Sequence, residues 1–271
     1  MSFAPGHISL TFAIHSNSDL LKMGSTGLGI VLPQGVYCSI IDERRDDNEN
    51  IIIVENKIIE DPVVSRAIEL LGYGNKGLSI YLRRDLPIGS GFGISGASAL
   101  AACIELDKNL HNCALAAHQA EIEYKTGLGD VVAITSALSV GDFPLIVERN
   151  SPGINGETKT FEIKKKLVIC ISGLGRNTAE IISNPEWSEI INGVSLNLRI
   201  TDYDIRSVIK NGRIFTEKSG LLNDNIVEIL DSIPIGAVSS VAHLGTSIVA
   251  VSDNITELAS SLEKYGEVRV Y

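Results

Sequence analysis

The chain has 271 residues, a formal charge of −10, 44% apolar and 21% charged residues, the make-up of a globular protein able to form one large domain or two modest ones. That acidity argues against nucleic acid or an anionic membrane as the main partner, and no run of about 18 apolar residues offers a membrane-spanning helix. Cys38, Cys103, Cys113 and Cys170 are scattered without a C-x-x-C pair. They read as buried thiols of a reducing compartment, and with no basic segment leading into an apolar run at the N-terminus the expected location is cytoplasmic.

In chain order, Phe3-Ala4-Pro5-Gly6-His7-Ile8 reads as a short strand broken by Pro-Gly, with an extended pattern resuming over 9–14. On its own, His7 is a surface histidine in a turn. Residues 20–29 read as a second glycine-rich loop, small and polar enough to bring Ser25 and backbone N–H groups close to a ligand; a flexible hairpin connection is the plain alternative. Strands are expected over 36–41 and 51–59, with the charged run 42–50 as a solvated turn between them. Asp61-Pro62 then starts a helix, Asp as cap and Pro at its first position, and Val64, Ala67, Ile68 and Leu71 follow at helical spacing up to Gly72.

A strand over 78–82 leads into the densest glycine stretch, where Gly89, Gly91, Gly93 and Gly96 fall within eight residues. A small-residue helix is expected from residue 97 to about 108. Glycines at this spacing allow positive φ, and a loop running into a helix start presents free N–H groups and a dipole to an anion, typically phosphate. Gly91-Phe92-Gly93-Ile94-Ser95-Gly96 formally matches the dinucleotide pattern G-x-G-x-x-G. The strand before it alternates apolar and polar residues, however, where a dinucleotide fold wants a doubly buried apolar run. The Gly-Lys-Ser/Thr of a P-loop is absent, and an ordinary glycine-rich turn is the plain alternative.

Asn112 reads as the cap of a helix over 113–125, on which His118 and Glu121 share a face while Glu123 points elsewhere. Asp130 opens a helix over 130–140, where a carboxylate is a common cap. A strand over 143–148 precedes Arg149, and Lys164-Lys165-Lys166 reads as an exposed strand edge before a buried strand over 167–171. The change of character places a domain boundary near residue 160, giving units 1–160 and 161–271. In the second unit, helices over 178–182, 186–210 with interruptions, 222–230 and 255–264, and strands over 236–241, 246–251 and 267–270, suit an α+β domain with helices on one sheet face.

Pro87-x-x-x-Gly91-Phe92-Gly93-Ile94-Ser95-Gly96-Ala97 resembles the P-x-x-x-G-L-G-S-S-A loop of the GHMP kinase superfamily, with Phe92, Ile94 and Gly96 departing from it. Leu21-Lys22-Met23-Gly24-Ser25, Ala120-Glu121 followed by Thr126-Gly127-Leu128-Gly129-Asp130, and Arg149 followed by Pro152-Gly153 are most similar to the archaeal pantoate kinase branch. The resemblance implies an α+β fold of two domains, the first like domain 2 of ribosomal protein S5 and the second ferredoxin-like. It implies ATP-dependent phosphorylation of pantoate to 4-phosphopantoate for coenzyme A synthesis, with ATP and Mg2+ as cofactors. Another small alcohol of the mevalonate, homoserine or shikimate type is the alternative substrate, and an NAD-dependent oxidoreductase the more distant one. The implied nucleotide loop is Pro87, Gly89, Ser90, Gly91, Phe92, Gly93, Ile94, Ser95 and Gly96. Ser95 and Glu121 would hold the metal, Asp130 would take or orient the proton of the attacking hydroxyl, and His7, Ser25 and Arg149 would meet the substrate, with support of an ionised Asp130 as the other role open to His7. His7 stands where the superfamily has lysine, and Ala242-His243-Leu244-Gly245-Thr246-Ser247 occupies the place of its glycine-rich third motif. A homodimer is the expected assembly.

Overall fold

In the computed structural model, which describes every residue except 43–47, 174 and 176–177, the chain opens with strands β1 (Ser2–Ser9), β2 (Ala13–His15) and β3 (Gly24–Asp42). There follow β4 (Ile51–Val54), β5 (Lys57–Ile59), helix α1 (Pro62–Leu70), β6 (Leu78–Arg84), α2 (Ile94–Leu106), α3 (Leu110–Tyr124), α4 (Asp130–Val140), β7 (Leu145–Arg149) and β8 (Thr158–Glu162). The second half runs β9 (Val168–Ile171), α5 (Thr178–Ser183), α6 (Pro185–Asn197), α7 (Ile205–Ser219), α8 (Asp224–Asp231), β10 (Val238–Val241), β11 (Ile248–Val251), α9 (Ile255–Leu262) and β12 (Glu267–Val270). No described helix is long and apolar enough to cross a membrane. The four cysteines are buried free thiols.

The first sheet is organised by β3, which pairs with β1, β2, β6 and β7 along its length. Its sheet order is β5-β4-β6-β3-β7-β8, with β1 and β2 joined to β3 off that path. Part of the loop expected over 20–29 is therefore strand: Ser25 pairs with Ile14 inside the sheet. Small residues at Gly24, Gly27 and Gly29 looked like a loop in isolation, and pairing on both edges overrides that local bias. Nor does Pro5-Gly6 break β1, since a register shift between Pro5 and His7 absorbs the irregularity while pairing to β3 continues. The strand expected over 51–59 is two, joined by a turn in which Glu55 and Asn56 have positive φ. Most of the charged run 42–50 lies outside the described residues. The dinucleotide reading fails on topology, because β6 is antiparallel to β3 and exposes Tyr81 and Arg83.

Helix α2 is buried almost all round, its Ala, Ser and Gly side chains packed among α1, α3, β1 and β3. Small residues let these backbones approach closely. Helix α3 is capped by Asn109, whose side chain accepts from the N–H groups of His111 and Asn112, one turn earlier than the expected cap Asn112. The lysine triplet 164–166 is an irregular connector between β8 and β9 rather than a strand edge.

The second sheet, β10-β11-β9-β12, is antiparallel. Its residues alternate between two cores. Val168, Cys170, Ile248 and Ala250 pack with Ile226 and Ile229 of α8 and Leu258 and Leu262 of α9, whereas Ile169, Val249 and Val251 join the main core with Val208 and Ile209 of α7. Helices therefore cover both faces of this sheet, where one face was expected. The change of sheet between Glu162 and Val168 supports a proposed division of the chain close to residue 160.

One buried ionic junction ties three elements together. Asp61 caps α1 by accepting from the Val64 N–H, while its other oxygen accepts from Arg84 Nη2 at the end of β6; Arg84 Nε in turn reaches Ser98 Oγ on α2 at 3.1 Å. Asp61→Ala removes the cap and strands the Arg84 charge, so a loss of about 2–4 kcal/mol is expected, read as a lower urea midpoint at unchanged slope.

Candidate active site

Two loop-to-helix junctions face each other across a cavity of about 360 Å3, residues 89–93 entering α2 and residues 125–129 entering α4. Gly93 caps α2 with φ of 60°, a left-handed turn that L side chains adopt at a cost. It starts the helix at Ile94, three residues before the expected start, so Ile94, Ser95 and Gly96 belong to the first turn of α2 rather than to the loop. No side chain caps α2, which leaves first-turn N–H groups beside the cavity, the arrangement that favours an anion.

Of the expected nucleotide loop, Gly89, Gly91, Phe92, Gly93, Ile94 and Ser95 line the cavity, while Pro87, Ser90 and Gly96 do not. Pro87 is exposed, and Ser90 is buried beneath Gly245. A Cβ at Gly245 would overlap the Ser90 carbonyl, and one at Gly91 would overlap the backbone of Ala242. The segment 242–247 is thus seated on the backbone of the glycine loop, and His243 and Leu244 reach the cavity itself. Gly96 lies under Glu121, whose Oε2 a Cβ there would meet at 2.6 Å.

Glu121, in the last turn of α3, is 2% exposed yet lines the cavity. Thr126 Oγ1 donates to its Oε1 at 3.3 Å, and no lysine, arginine or histidine pairs with it among the described residues. Burial, and after it the nearby Asp130 charge, hold its carboxyl well above the ordinary range. Glu123 points away and pairs with Arg66, so the two carboxylates divide as the helical spacing requires. His118 on the same face is buried, and its Nε2 donates to the Met23 carbonyl at 3.0 Å, anchoring the entry to β3 and hence Ser25.

Asp130 is the first residue of α4, but Gly129 is the cap and the carboxylate makes no capping bond. Its Oδ1 instead lies 2.7 Å from His7 Nδ1. His7 is fully buried, its backbone N–H donates to the Phe92 carbonyl at 2.9 Å, and its Nε2 lies 3.2 Å from Arg149 Nη1. Burial outweighs Asp130 and holds the imidazole below its ordinary pKa. Arg149 ends β7 and is 1% exposed; burial lowers it to about 10, still cationic at neutral pH. Its Nε and Nη2 have no hydrogen-bond partner among the described residues.

Ser25, Asp130 and Gly129 line the cavity, whereas His7 and Arg149 stand one layer behind. Support of Asp130 and contact with substrate were both open for His7, and the structure pairs it with Asp130. Arg149 approaches the cavity only at Gly129. A Cβ there would lie 2.7 Å from Arg149 Nε and closer still to Ser25 Oγ. The missing side chain lets Arg149 Nε and Ser25 Oγ pack directly against the Gly129 backbone at the cavity wall. Sequence reasoning did not assign Phe12, Lys125, Thr126, Thr178 or His243 to the wall; Thr126 had a signal from its place in the run before Asp130, and His243 from its place in the third-motif segment.

The GHMP kinases N terminal domain matches residues 62–137. Pantoate kinase from Methanocaldococcus jannaschii is 32% identical over 94% of this chain and 93% of its own, and pantoate kinase from Methanospirillum hungatei is 30% identical over 98% and 91%. A solved structure titled as a phosphotransferase related to the CoA biosynthesis pathway superposes with a TM-score of 0.79 at 24% identity, covering 100% of this chain and 97% of that one. The chain belongs to the GHMP kinases, ATP-dependent enzymes that phosphorylate small molecules. Within them it falls in the family of the archaeal pantoate kinases.

Gly93→Val places a β-branched side chain at a left-handed φ and 2.8 Å from Asp130 Oδ1. Loss of measurable ATP binding by the folded variant is expected in calorimetric titration; unchanged affinity means that the phosphates bind elsewhere.

Proposed function

We propose that the enzyme phosphorylates pantoate on its primary hydroxyl with ATP, giving 4-phosphopantoate for coenzyme A synthesis. The observation that supports this reading is the meeting of Arg149 and Ser25 at Gly129: Arg149 Nε and Ser25 Oγ press on this glycine of the cavity wall next to Asp130, and Nε and Nη2 of Arg149 have no hydrogen-bond partner among the described residues. Pantoate presents a carboxylate, a secondary hydroxyl and a geminal dimethyl group beside the reacting alcohol. A planar guanidinium suits the carboxylate, a hydroxyl suits the second alcohol, and Phe12, Leu128, Ile182 and Leu244 supply an apolar wall.

In the reaction the amides of residues 91–95 and the α2 dipole hold the triphosphate. Asp130 accepts the proton of the primary hydroxyl as its oxygen attacks the γ-phosphorus, and the bond to the ADP oxygen breaks. The chemistry of the donor set fits Mg2+: the Ser95 hydroxyl and the cation-free Glu121 carboxylate are hard oxygen ligands on one cavity wall. Among the described residues no cluster of three acidic, histidine or cysteine side chains could hold a metal alone, which suits an ion completed by phosphates and water. When bound, Mg2+ neutralises phosphate charge. A cytoplasmic homodimer with no nucleic-acid partner goes with this reading, and light scattering tests the assembly.

Asp130→Asn should lower kcat by about 10²- to 10⁴-fold with little change in the KM for ATP; near-normal kcat would leave Asp130 a structural residue. Arg149→Ala should cut kcat/KM for pantoate by about 30- to 1000-fold, the scale expected when a charged group in a buried site is deprived of its partner. Faster turnover of mevalonate or homoserine than of pantoate sinks the substrate assignment. Because the Glu121 carboxyl is held high, it is protonated below that raised pKa and cannot ligate. The Mg2+ concentration for half-activation should therefore climb as pH falls through that value, and Glu121→Gln should abolish this dependence on pH.

A further inference from the structure

We infer that Arg149 keeps His7 Nε2 bare and so, together with Asp130, fixes the ring as the Nδ1 donor that aims Asp130, a positioning role that rests on the kinase reading above. A guanidinium carries only N–H donors. With Arg149 Nη1 at 3.2 Å, His7 Nε2 has to be the acceptor and is unprotonated. The imidazole proton is then on Nδ1, where it donates to Asp130 Oδ1 at 2.7 Å. The opposite tautomer would set the Nδ1 lone pair against a carboxylate and an N–H against a guanidinium, two repulsive contacts in a fully buried place. Both the burial of the ring and the Arg149 charge act against the imidazolium.

The ring has little freedom to rearrange. Its Nε2 packs over Gly29 of β3 so closely that a Cβ there would overlap it, and its backbone is bound to Phe92. Oδ1 is thus committed to His7, and Oδ2 is the oxygen nearest Gly127, a cavity residue whose Cβ would stand 2.7 Å from it. Oδ2 is left to meet the reacting hydroxyl. One guanidinium serves two ends: Nε lies against Gly129 of the cavity wall, and Nη1 holds the histidine that orients the base. The arrangement assigns a rationale to histidine at a position where the wider superfamily has lysine, since lysine has no second atom through which an arginine could act.

The first test needs no activity. In the whole protein labelled with 15N-histidine, long-range proton–nitrogen spectra at neutral pH should show His7 neutral, with Nδ1 protonated and Nε2 bare; an Nε2-protonated or doubly protonated ring overturns the inference. Arg149→Met should leave Nδ1 bonded to Asp130 but free Nε2 to take a proton, giving a doubly protonated ring at a higher pH than in the wild type. The kinetic test uses the amide of His7→Asn, which keeps a donor near the Nδ1 position and has no tautomer. His7→Asn should retain at least about tenfold more kcat than His7→Leu. In the wild-type background Arg149→Met should lower kcat about tenfold or more and raise the KM for pantoate; in the His7→Asn background only the KM effect should remain. Independent, multiplying losses in kcat overturn the positioning role. A protein with the expected tautomer and no activity on pantoate would instead sink the substrate reading alone.

Discussion

The hydrogen bond of 2.7 Å between His7 and Asp130 is the interaction on which the site depends. His7 lies on the first strand, Asp130 opens α4, and the His7 N–H holds the Phe92 carbonyl of the glycine loop. One buried residue thus fixes the distance between the phosphate-facing loop and the carboxylate opposite it. Removing the imidazole would leave that carboxylate without its only side-chain partner among the described hydrogen bonds, a costly loss in a partly enclosed place.

Burying a carboxylate, an imidazole and a guanidinium together is unfavourable unless each is paired or has work to do. Here the charges are arranged in a line, Arg149 to His7 to Asp130, with the neutral ring between opposite charges. Glu121 stands outside that line and pairs with no lysine, arginine or histidine among the described residues. A raised carboxyl in a cavity wall is a common mark of a functional group. Glycines supply the room: Gly29 beneath His7, Gly96 and Gly127 beside the carboxylates, and Gly129 against Arg149 and Ser25.

The second half of the chain acts on the site through its backbone. Segment 242–247 has only Gly245 where a glycine-rich hairpin was expected, yet that glycine is what lets it rest on Ser90. Its place supports a buttress for the phosphate loop, with His243 and Leu244 extended into the cavity. His243 is buried against Phe12 and Phe215, and burial lowers its pKa to about 4, so it contributes a neutral aromatic face to the wall.

The sequence alone determined the local chemistry. Glycine spacing marked the left-handed turn that enters α2, helical spacing separated Glu121 from Glu123, and Asp61-Pro62 marked the start of α1, because these signals depend on residues within a turn or two of each other. What it misread depended on partners far along the chain. Ser25 looked like a loop residue because its strand partners are on β2, and β1 looked broken at Pro5-Gly6 because the bulge that rescues it is shared with β3. The link from Asp130 through His7 to Arg149 was not visible in the sequence, because β1 and β7 are what bring His7 between the other two. Only tertiary structure could decide these, since the free energy of a buried charge is set by which groups surround it, and those groups lie more than a hundred residues apart in the chain.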